Sequence, residues 1–350
     1  MSELIYQFLI SIAISIFVIV FSKPIALKFD LVDRPNERKC HNGAIPLIGG
    51  IAIFISITIT TILFIESTQE VSLYLIGAAL IVLVGVLDDY YDLPVKPRVI
   101  AQIIVASIMI FGANHYIKNL GDLFGFGDVL LGFGGILITI LAVLAAVNAF
   151  NMVDGIDGLA GMLALITFCA LALLLSNNGS SWTFLAISFL GATMAYLVFN
   201  LRWPFKTVNK IFMGDAGSML IGYSVVWLLV IGTQSTSPSF HSVTALWLIA
   251  LPLMDMVAIM LRRVRKGDSP FKPDRGHLHH IFLRAGFSST QTLVIISAIS
   301  FVFVIFGICL EIFKIPESVS LLLFIICFMA YSFAIKHIWQ LLTFYRRVFN

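Results

Sequence analysis

Long apolar runs broken by short polar segments set the pattern of this chain, and the breaks carry its chemistry. A run of about 18 or more apolar residues is long enough to cross a hydrocarbon core as a helix. The pattern predicts about eleven such spans, near 4–22, 44–65, 70–87, 98–114, 127–148, 158–175, 182–200, 216–232, 242–261, 290–311 and 318–335. Inside a bilayer each backbone group must be satisfied within its own segment, so the spans are expected to be helices. The expected fold is an all-α polytopic membrane protein, with residues 1–350 forming one integral membrane catalytic domain.

Composition excludes the soluble alternative. The chain is 59% hydrophobic and 12% charged, whereas soluble domains carry about 25% charged residues. Met1-Ser2-Glu3 offers no positive leader, so the first span reads as a retained helix rather than a cleaved signal. Cys40, Cys169, Cys309 and Cys327 lack metal-ligand or disulfide spacing. Charge distribution says more than the net +3. With the N-terminus outside (periplasmic) and the C-terminus cytoplasmic, only Lys118 and Lys314 of the 22 Lys and Arg fall outside, as the positive-inside rule requires. The same orientation gathers Asp88, Asp89, Asp92, Asp154, Asp157 and Asp215 at the cytoplasmic face.

Five constellations stand at that face. In Asp88-Asp89-Tyr90-Tyr91-Asp92, helical spacing puts Asp89 and Asp92 on one side, and crowded carboxylates favour a divalent cation. Mg²⁺ is the natural choice, since it binds through one or two carboxylates plus substrate phosphates; an acidic, water-capped helix end is the plainer reading. In NAFNMVDGIDG, Asn148, Asn151 and Asp154 recur every third residue as a polar stripe, while Asp157 also suits a turn or an N-cap. Phe212-Met213-Gly214-Asp215 opens a span where glycine permits close backbone approach and a helix start attracts phosphate.

The loop from Arg262 to His280 carries six basic residues with His277, His279 and His280, a set suited to diphosphate and sugar hydroxyls as well as to topology or anionic lipid. Lys96 and Arg98, at the start of the fourth span, suit a lipid phosphate or simple snorkelling. Asp255 is the one carboxylate well inside a span and is therefore a functional candidate.

Taken in order, LVDRPNERKCHNGAIPLIGG, LDDYYD, NAFNMVDGIDG, FMGDAGS, LPLMDMVAIMLRR and HLHH make the chain resemble the polyprenyl-phosphate N-acetylhexosamine-1-phosphate transferases over nearly its whole length. The resemblance implies transfer of a sugar 1-phosphate from a UDP-sugar, UDP-N-acetylglucosamine above all, to undecaprenyl phosphate with release of UMP. It implies dependence on Mg²⁺ (or Mn²⁺), residence in the bacterial inner membrane, and a first membrane step of O-antigen-type polysaccharide synthesis.

By the same resemblance Asp88, Asp89 and Asp215 are catalytic, with Asp89 and Asp215 on the metal and Asp88 acting on the lipid phosphate. Asn148, Asn151, Asp154, Asp157 and Phe212 fall on the nucleotide side. Lys96 meets phosphate, and Arg263, His277, His279 and His280 belong to the loop that selects the sugar. Leu278 and Ile281 break the histidine pattern of the peptidoglycan translocase, which argues against a muramyl-pentapeptide donor. Membrane lipids are expected neighbours, a homodimer is compatible with the sequence, and nucleic acid is not expected.

Three alternatives stay open at this stage. A covalent aspartyl intermediate competes with direct attack by the lipid phosphate. An intramembrane prenyltransferase would need a second aspartate-rich motif, which the chain lacks. A nucleotide-sugar transporter would place polar breaks near the bilayer midplane in matching halves, and no repeat is visible.

Overall fold

A computed structural model describes residues 2–34, 43–270 and 276–349, with side chains to His337. Cys40 and the middle of both basic loops, at 35–42 and 271–275, lie outside the described residues. Among the described residues the regular structure is helical, apart from a short antiparallel pairing of β1 (Val32–Asp33) with β2 (Ile45–Pro46) and isolated bridges at Leu47–Phe212 and Asn119–Leu130. The helices are α1 (Ser2–Lys28), α2 (Gly49–Phe64), α3 (Gln69–Tyr91), α4 (Val95–Ser107, continued by a π turn at Ile108–Gly112), α5 (Gly134–Val153), α6 (Leu159–Asn177) and α7 (Thr183–Leu201). There follow α8 (Gly214–Gln234), α9 (Ser242–Leu248), α10 (Ala250–Arg265), α11 (Leu278–Arg284), α12 (Ser289–Ile312) and α13 (Glu317–Phe349).

Among the described residues, nine helices are long and apolar enough to cross a membrane, and ten if the bent α9–α10 pair is one span. This is a polytopic, all-α membrane protein. Two expected spans account for the difference from eleven. The one expected at 44–65 shortens to the 16 residues of α2, because Ile45 and Pro46 pair with β1 instead of joining the helix. The one expected at 242–261 bends by 81° at Ile249. Pro252 explains the bend: with no N–H it cannot donate to the Leu248 carbonyl four residues back. That carbonyl accepts instead from Thr167 Oγ1 of α6 at 3.0 Å. The loop expected between Arg262 and His280 also contains helix at both ends, the last turn of α10 and the start of α11.

The bundle is built around α8, whose span is 89% buried against 28% for α1 and 11% for α13. Helices in lipid gain little from apolar contact alone, so close backbone approach decides which ones meet. A Cβ at Gly50 of α2 would strike the Gly217 backbone, and one at Gly85 of α3 the Ala216 backbone. Both contacts fall on the first turn of α8, so glycine pins α2 and α3 against that helix start. Polar side chains tie α1, α2 and α7 together: Gln7 Nε2 donates to Ser188 Oγ at 2.7 Å, and Thr60 Oγ1 to the same oxygen at 2.8 Å.

The connectors gather at the two ends of the bundle. At one end Gln234 accepts from the Lys118 and Asn119 amides, Glu317 from Asp122, and Glu311 from His241. At the opposite end stand the aspartate motifs and the histidine loop.

Candidate active site

The aspartate side is assembled from the adjoining ends of α3, α5 and α8. Asp88 is buried, and both its oxygens are engaged: Oδ1 accepts the Leu93 amide at 2.8 Å, and Oδ2 faces Arg98 Nη1 at 2.8 Å. The ten-residue separation closes because the chain reverses after Asp92 and α4 begins just past Pro94, its N-cap residue. Asp92 does not join its neighbours as helical spacing suggests. It adopts φ 51°, and its amide caps α3 by donating to the Asp88 carbonyl at 2.8 Å.

Asp89 reaches across to α8, accepting the amides of Asp215 at 2.8 Å and Ala216 at 3.3 Å. A helix start leaves such amides unsatisfied and carries partial positive charge. Met213, at the cap position, makes no side-chain cap bond, so a carboxylate from another helix supplies it.

Asp215 Oδ1 accepts Asn151 Nδ2 at 2.6 Å, and Ser218 Oγ lies 3.1 Å from the same nitrogen. The stripe expected along α5 divides between two neighbours. Residues three apart on a helix are offset by about 60°, since 3.6 residues make a turn. Asn151 therefore meets α8, while Asn148 turns to α4 and donates to Gln102 Oε1 at 2.9 Å. Asp154 follows as the C-cap of α5. Burial, then the charges of Asp215 and Asp157, push its carboxyl up to about 7.

Asp157 pairs with Lys210 Nζ at 2.6 Å, and the same ammonium lies 5.0 Å from the centre of the Phe212 ring. The segment before α8 is held by Phe212 N–H donating to the Pro46 carbonyl at 2.9 Å.

The histidine side hangs from α10. Asp255 accepts the Leu278 amide at 3.1 Å and the Tyr331 hydroxyl at 2.7 Å on Oδ1, and faces His277 Nδ1 at 2.8 Å with Oδ2. The ring of His279 lies parallel to that of His277 at 5.7 Å and 4.2 Å from that of His280. His279 is buried, and its Nε2 has no hydrogen-bond partner among the described residues. Burial, then the neighbouring His280 and His277, push this imidazole down to about 3, so it is neutral at physiological pH. It abuts Gly155, where a Cβ would collide with that nitrogen. Arg263 is buried on α10, with Nη1 donating to the Pro270 carbonyl at 2.5 Å.

Between the two sides lies a cavity of about 770 Å³. Val99, Leu141, Leu144, Ala145, Met256, Val257, Met260 and Leu261 give it apolar walls, and Arg98, Asn148, Asn151, Arg263, His277, His279 and His280 its polar ones. Asn151 belongs to both regions, lining the cavity while holding Asp215. Lys96 is exposed on the first turn of α4 and does not line the cavity; Arg98, two residues on, does.

Among the described residues no three His, Cys, Asp or Glu side chains form a metal cage. Asp215 is nevertheless the charged neighbour shared by Asp88, Asp89 and Asp154. Such crowded carboxylates would suit a divalent cation that shares its ligands with substrate phosphates, whose charge it would neutralise.

Three partners escaped the sequence reading. Gln102 and Tyr331 are single polar residues in apolar spans, a signal available but nonspecific. Lys210 lies two residues before Phe212 and is easily absorbed into the cytoplasmic excess of positive charge.

The glycosyl transferase family 4 model matches residues 71–233, which include every aspartate of this cluster. Over 351 residues the chain is 43% identical to the undecaprenyl-phosphate alpha-N-acetylglucosaminyl 1-phosphate transferase of Yersinia pestis, covering 99% of this chain and 94% of that one. The chain belongs to glycosyl transferase family 4. Proteins of the same description from Salmonella typhi and Escherichia coli (strain K12) are 45% and 43% identical, with 99% and 94% of this chain covered and 94% and 90% of theirs. For this family 4 member the similarity runs beyond the matched core to the histidine loop and α13, so the resemblance read from the motifs is borne out along nearly the whole chain.

Proposed function

We infer that this protein transfers N-acetylglucosamine 1-phosphate from UDP-N-acetylglucosamine to undecaprenyl phosphate, giving the lipid diphosphate sugar and UMP. The observation that carries this reading is the cavity: an apolar trough between helices ends in arginine, asparagine and histidine, and is joined through Asn151 to the carboxylate cluster. Such a trough suits a polyprenyl chain, and its polar end suits phosphate. The relatives' names supply the acceptor and the transferred group, and the enzyme class implies a nucleotide-sugar donor.

In this reading all eleven apolar segments cross the membrane, α2 and the bent α9–α10 pair included. The N-terminus is periplasmic, the C-terminus cytoplasmic, and the site lies on the cytoplasmic face of the inner membrane, where UDP-sugars are made. The whole chain acts as one catalytic domain, and a homodimer is the assembly we expect. Arg98, Lys210 and the arginines ending α10 gather at the aspartate and histidine end, which the positive-inside rule makes cytoplasmic, and they support this orientation.

Both substrates are anions, and phosphoryl transfer depends on positioning and charge stabilisation. Arg98, held by Asp88, orients the acceptor phosphate, with Lys96 drawing it to the surface. Asp215 and Asp89 would hold Mg²⁺ (or Mn²⁺) with the donor diphosphate; each Asp89 oxygen accepts one amide and keeps a lone pair. The cation, when bound, neutralises charge on the diphosphate. Asp157, Lys210 and Phe212 make a donor–acceptor pair beside an aromatic face, which suits the nucleoside, and Asn148, Asn151 and Asp154 complete that side. Arg263, His279 and His280 face the sugar and diphosphate, with neutral His279 suited to a hydroxyl.

The test is UMP release by the purified chain in vesicles. Release from UDP-N-acetylglucosamine that requires undecaprenyl phosphate is expected; a wild-type chain that releases none, or works only with another UDP-sugar, overturns the assignment.

A further inference from the structure

A chain of hydrogen-bonded side chains from three separate elements ends at the cavity. It runs from Tyr331 of α13 to Asp255 of α10 and on to His277, which precedes α11. Asp255 is 3% exposed and His277 5%. A carboxylate on Nδ1 fixes the hydrogen there and leaves Nε2 with its lone pair. His277 lines the cavity, so Nε2 is the nitrogen available to a ligand. Asp255 Oδ1 is anchored twice, by the Leu278 amide and by the Tyr331 hydroxyl, which aims Oδ2 at the ring.

Tyr331 itself does not line the cavity, and α13 otherwise exposes apolar residues such as Leu322, Met329 and Phe333. A phenyl ring would fill the same space; only the hydroxyl explains a tyrosine there.

We propose that Asp255 and Tyr331 are positioning residues that hold His277 as proton acceptor for the attacking phosphate. This rests on the phosphotransferase reading above. The acceptor phosphomonoester, as its monoanion, gives its P–OH proton to Nε2. The resulting dianion forms the new P–O bond at the sugar-bearing phosphorus. The P–O bond to the nucleoside phosphate breaks, its electron pair leaves with UMP, and UMP takes the proton back from Nε2. Asp255 stays ionised beside the transient imidazolium.

The experiment measures kcat and KM for UMP release by full-length wild type, Asp255→Asn, Tyr331→Phe and the double variant, each checked for its melting temperature. The carboxamide introduced by Asp255→Asn can donate to Nδ1 and so force the hydrogen onto Nε2. The kcat is expected to fall about 10²–10⁴-fold with KM for UDP-N-acetylglucosamine little changed. Tyr331→Phe removes one anchor and should cost kcat about 3–10-fold, again without moving KM. If Tyr331 acts through Asp255, the double variant is no slower than Asp255→Asn alone.

Multiplying penalties, a KM effect in place of a kcat effect, or unchanged kcat in Tyr331→Phe overturns the proposal. Should Asp255→Asn fail to fold, the kcat–KM split in Tyr331→Phe decides alone. A wild-type chain without UMP release sinks the functional reading; an active wild type with indifferent variants sinks only this relay.

Discussion

The two sides of the cavity are held in place by different physics. On the aspartate side the functional groups sit on long helices or cap them, and the bonds that fix Asp89 run to backbone amides. Those helices meet where glycine lets backbone touch backbone. On the histidine side α10 arrives after an 81° bend, α11 has seven residues, and a single buried carboxylate joins the two. A side built on backbone contacts tolerates little change, as phosphate chemistry requires of its supports. A side built on side-chain bonds can be retuned residue by residue, which suits the choice of sugar.

The two sides should differ most at their glycines. Alanine at Gly50 presses a methyl group into the Gly217 backbone, whereas alanine at Gly155 presses on the His279 ring, a side chain able to rotate. Overpacking a tight contact costs about 1–3 kcal/mol or more when neither partner can yield. Gly50→Ala is expected to lose most of the folded protein, and Gly155→Ala to fold with weakened donor binding. Detergent-extracted yield and melting temperature decide; equal losses would erase the distinction between the two sides.

Next in size are effects on turnover and on donor affinity. Asp215→Asn keeps a carbonyl oxygen for Asn151 and so should fold, yet lose about 10²–10³-fold in kcat, the scale for removing one electrostatic contributor to a transition state. His279→Gln keeps a polar group near the ring's position and should raise KM for UDP-N-acetylglucosamine about 10-fold, in line with one lost hydrogen bond, while leaving kcat within a few-fold. Steady-state UMP release separates the two parameters. If His279→Gln lowers kcat as severely as Asp215→Asn, the histidine side is not a binding side.

The same contrast explains what was legible in the sequence. Spans announce themselves because lipid demands continuous apolar helix, and the aspartate motifs stand out because nothing structural requires them there. Asp88, Asp89 and Asp215 therefore emerge together from their motifs. What stayed hidden depends on which helix turns toward which. Gln102 finds Asn148, and Tyr331 finds Asp255 from 76 residues away, through contacts between spans that no local spacing encodes. The break at Ile249 did leave a mark, Pro252, but proline in a first helical turn is tolerated, and only the missing bond to Leu248 turns it into a bend. Asp92 misled for the opposite reason. Its position fits a helical face, yet the chain has already left the helix with φ 51°.

The smallest expected effect is on how stability varies with pH, and there the two sides should oppose each other. The Asp154 carboxyl titrates near 7 in the folded chain against an ordinary 3.8, so between those values the folded state holds a proton that the unfolded chain has released. Its contribution to stability is greatest at the acid end and is lost as pH rises toward 7. His279 is held near 3 against an ordinary 6.5, so between those values the unfolded chain binds a proton that the folded state refuses. Its contribution is present above 6.5 and is lost as pH falls. The slopes have opposite signs where the windows overlap, and each variant removes one of them. Relative to wild type, Asp154→Asn should gain a few degrees in melting temperature at about pH 8 and lose that advantage by about pH 5. His279→Gln should show no such gain at about pH 8 and acquire it on acidification. Differential scanning fluorimetry across that range reads both differences without substrate or cation. Two variants that drift in the same direction would show that the neutral histidine and the protonated aspartate are not the groups that distinguish these two sides.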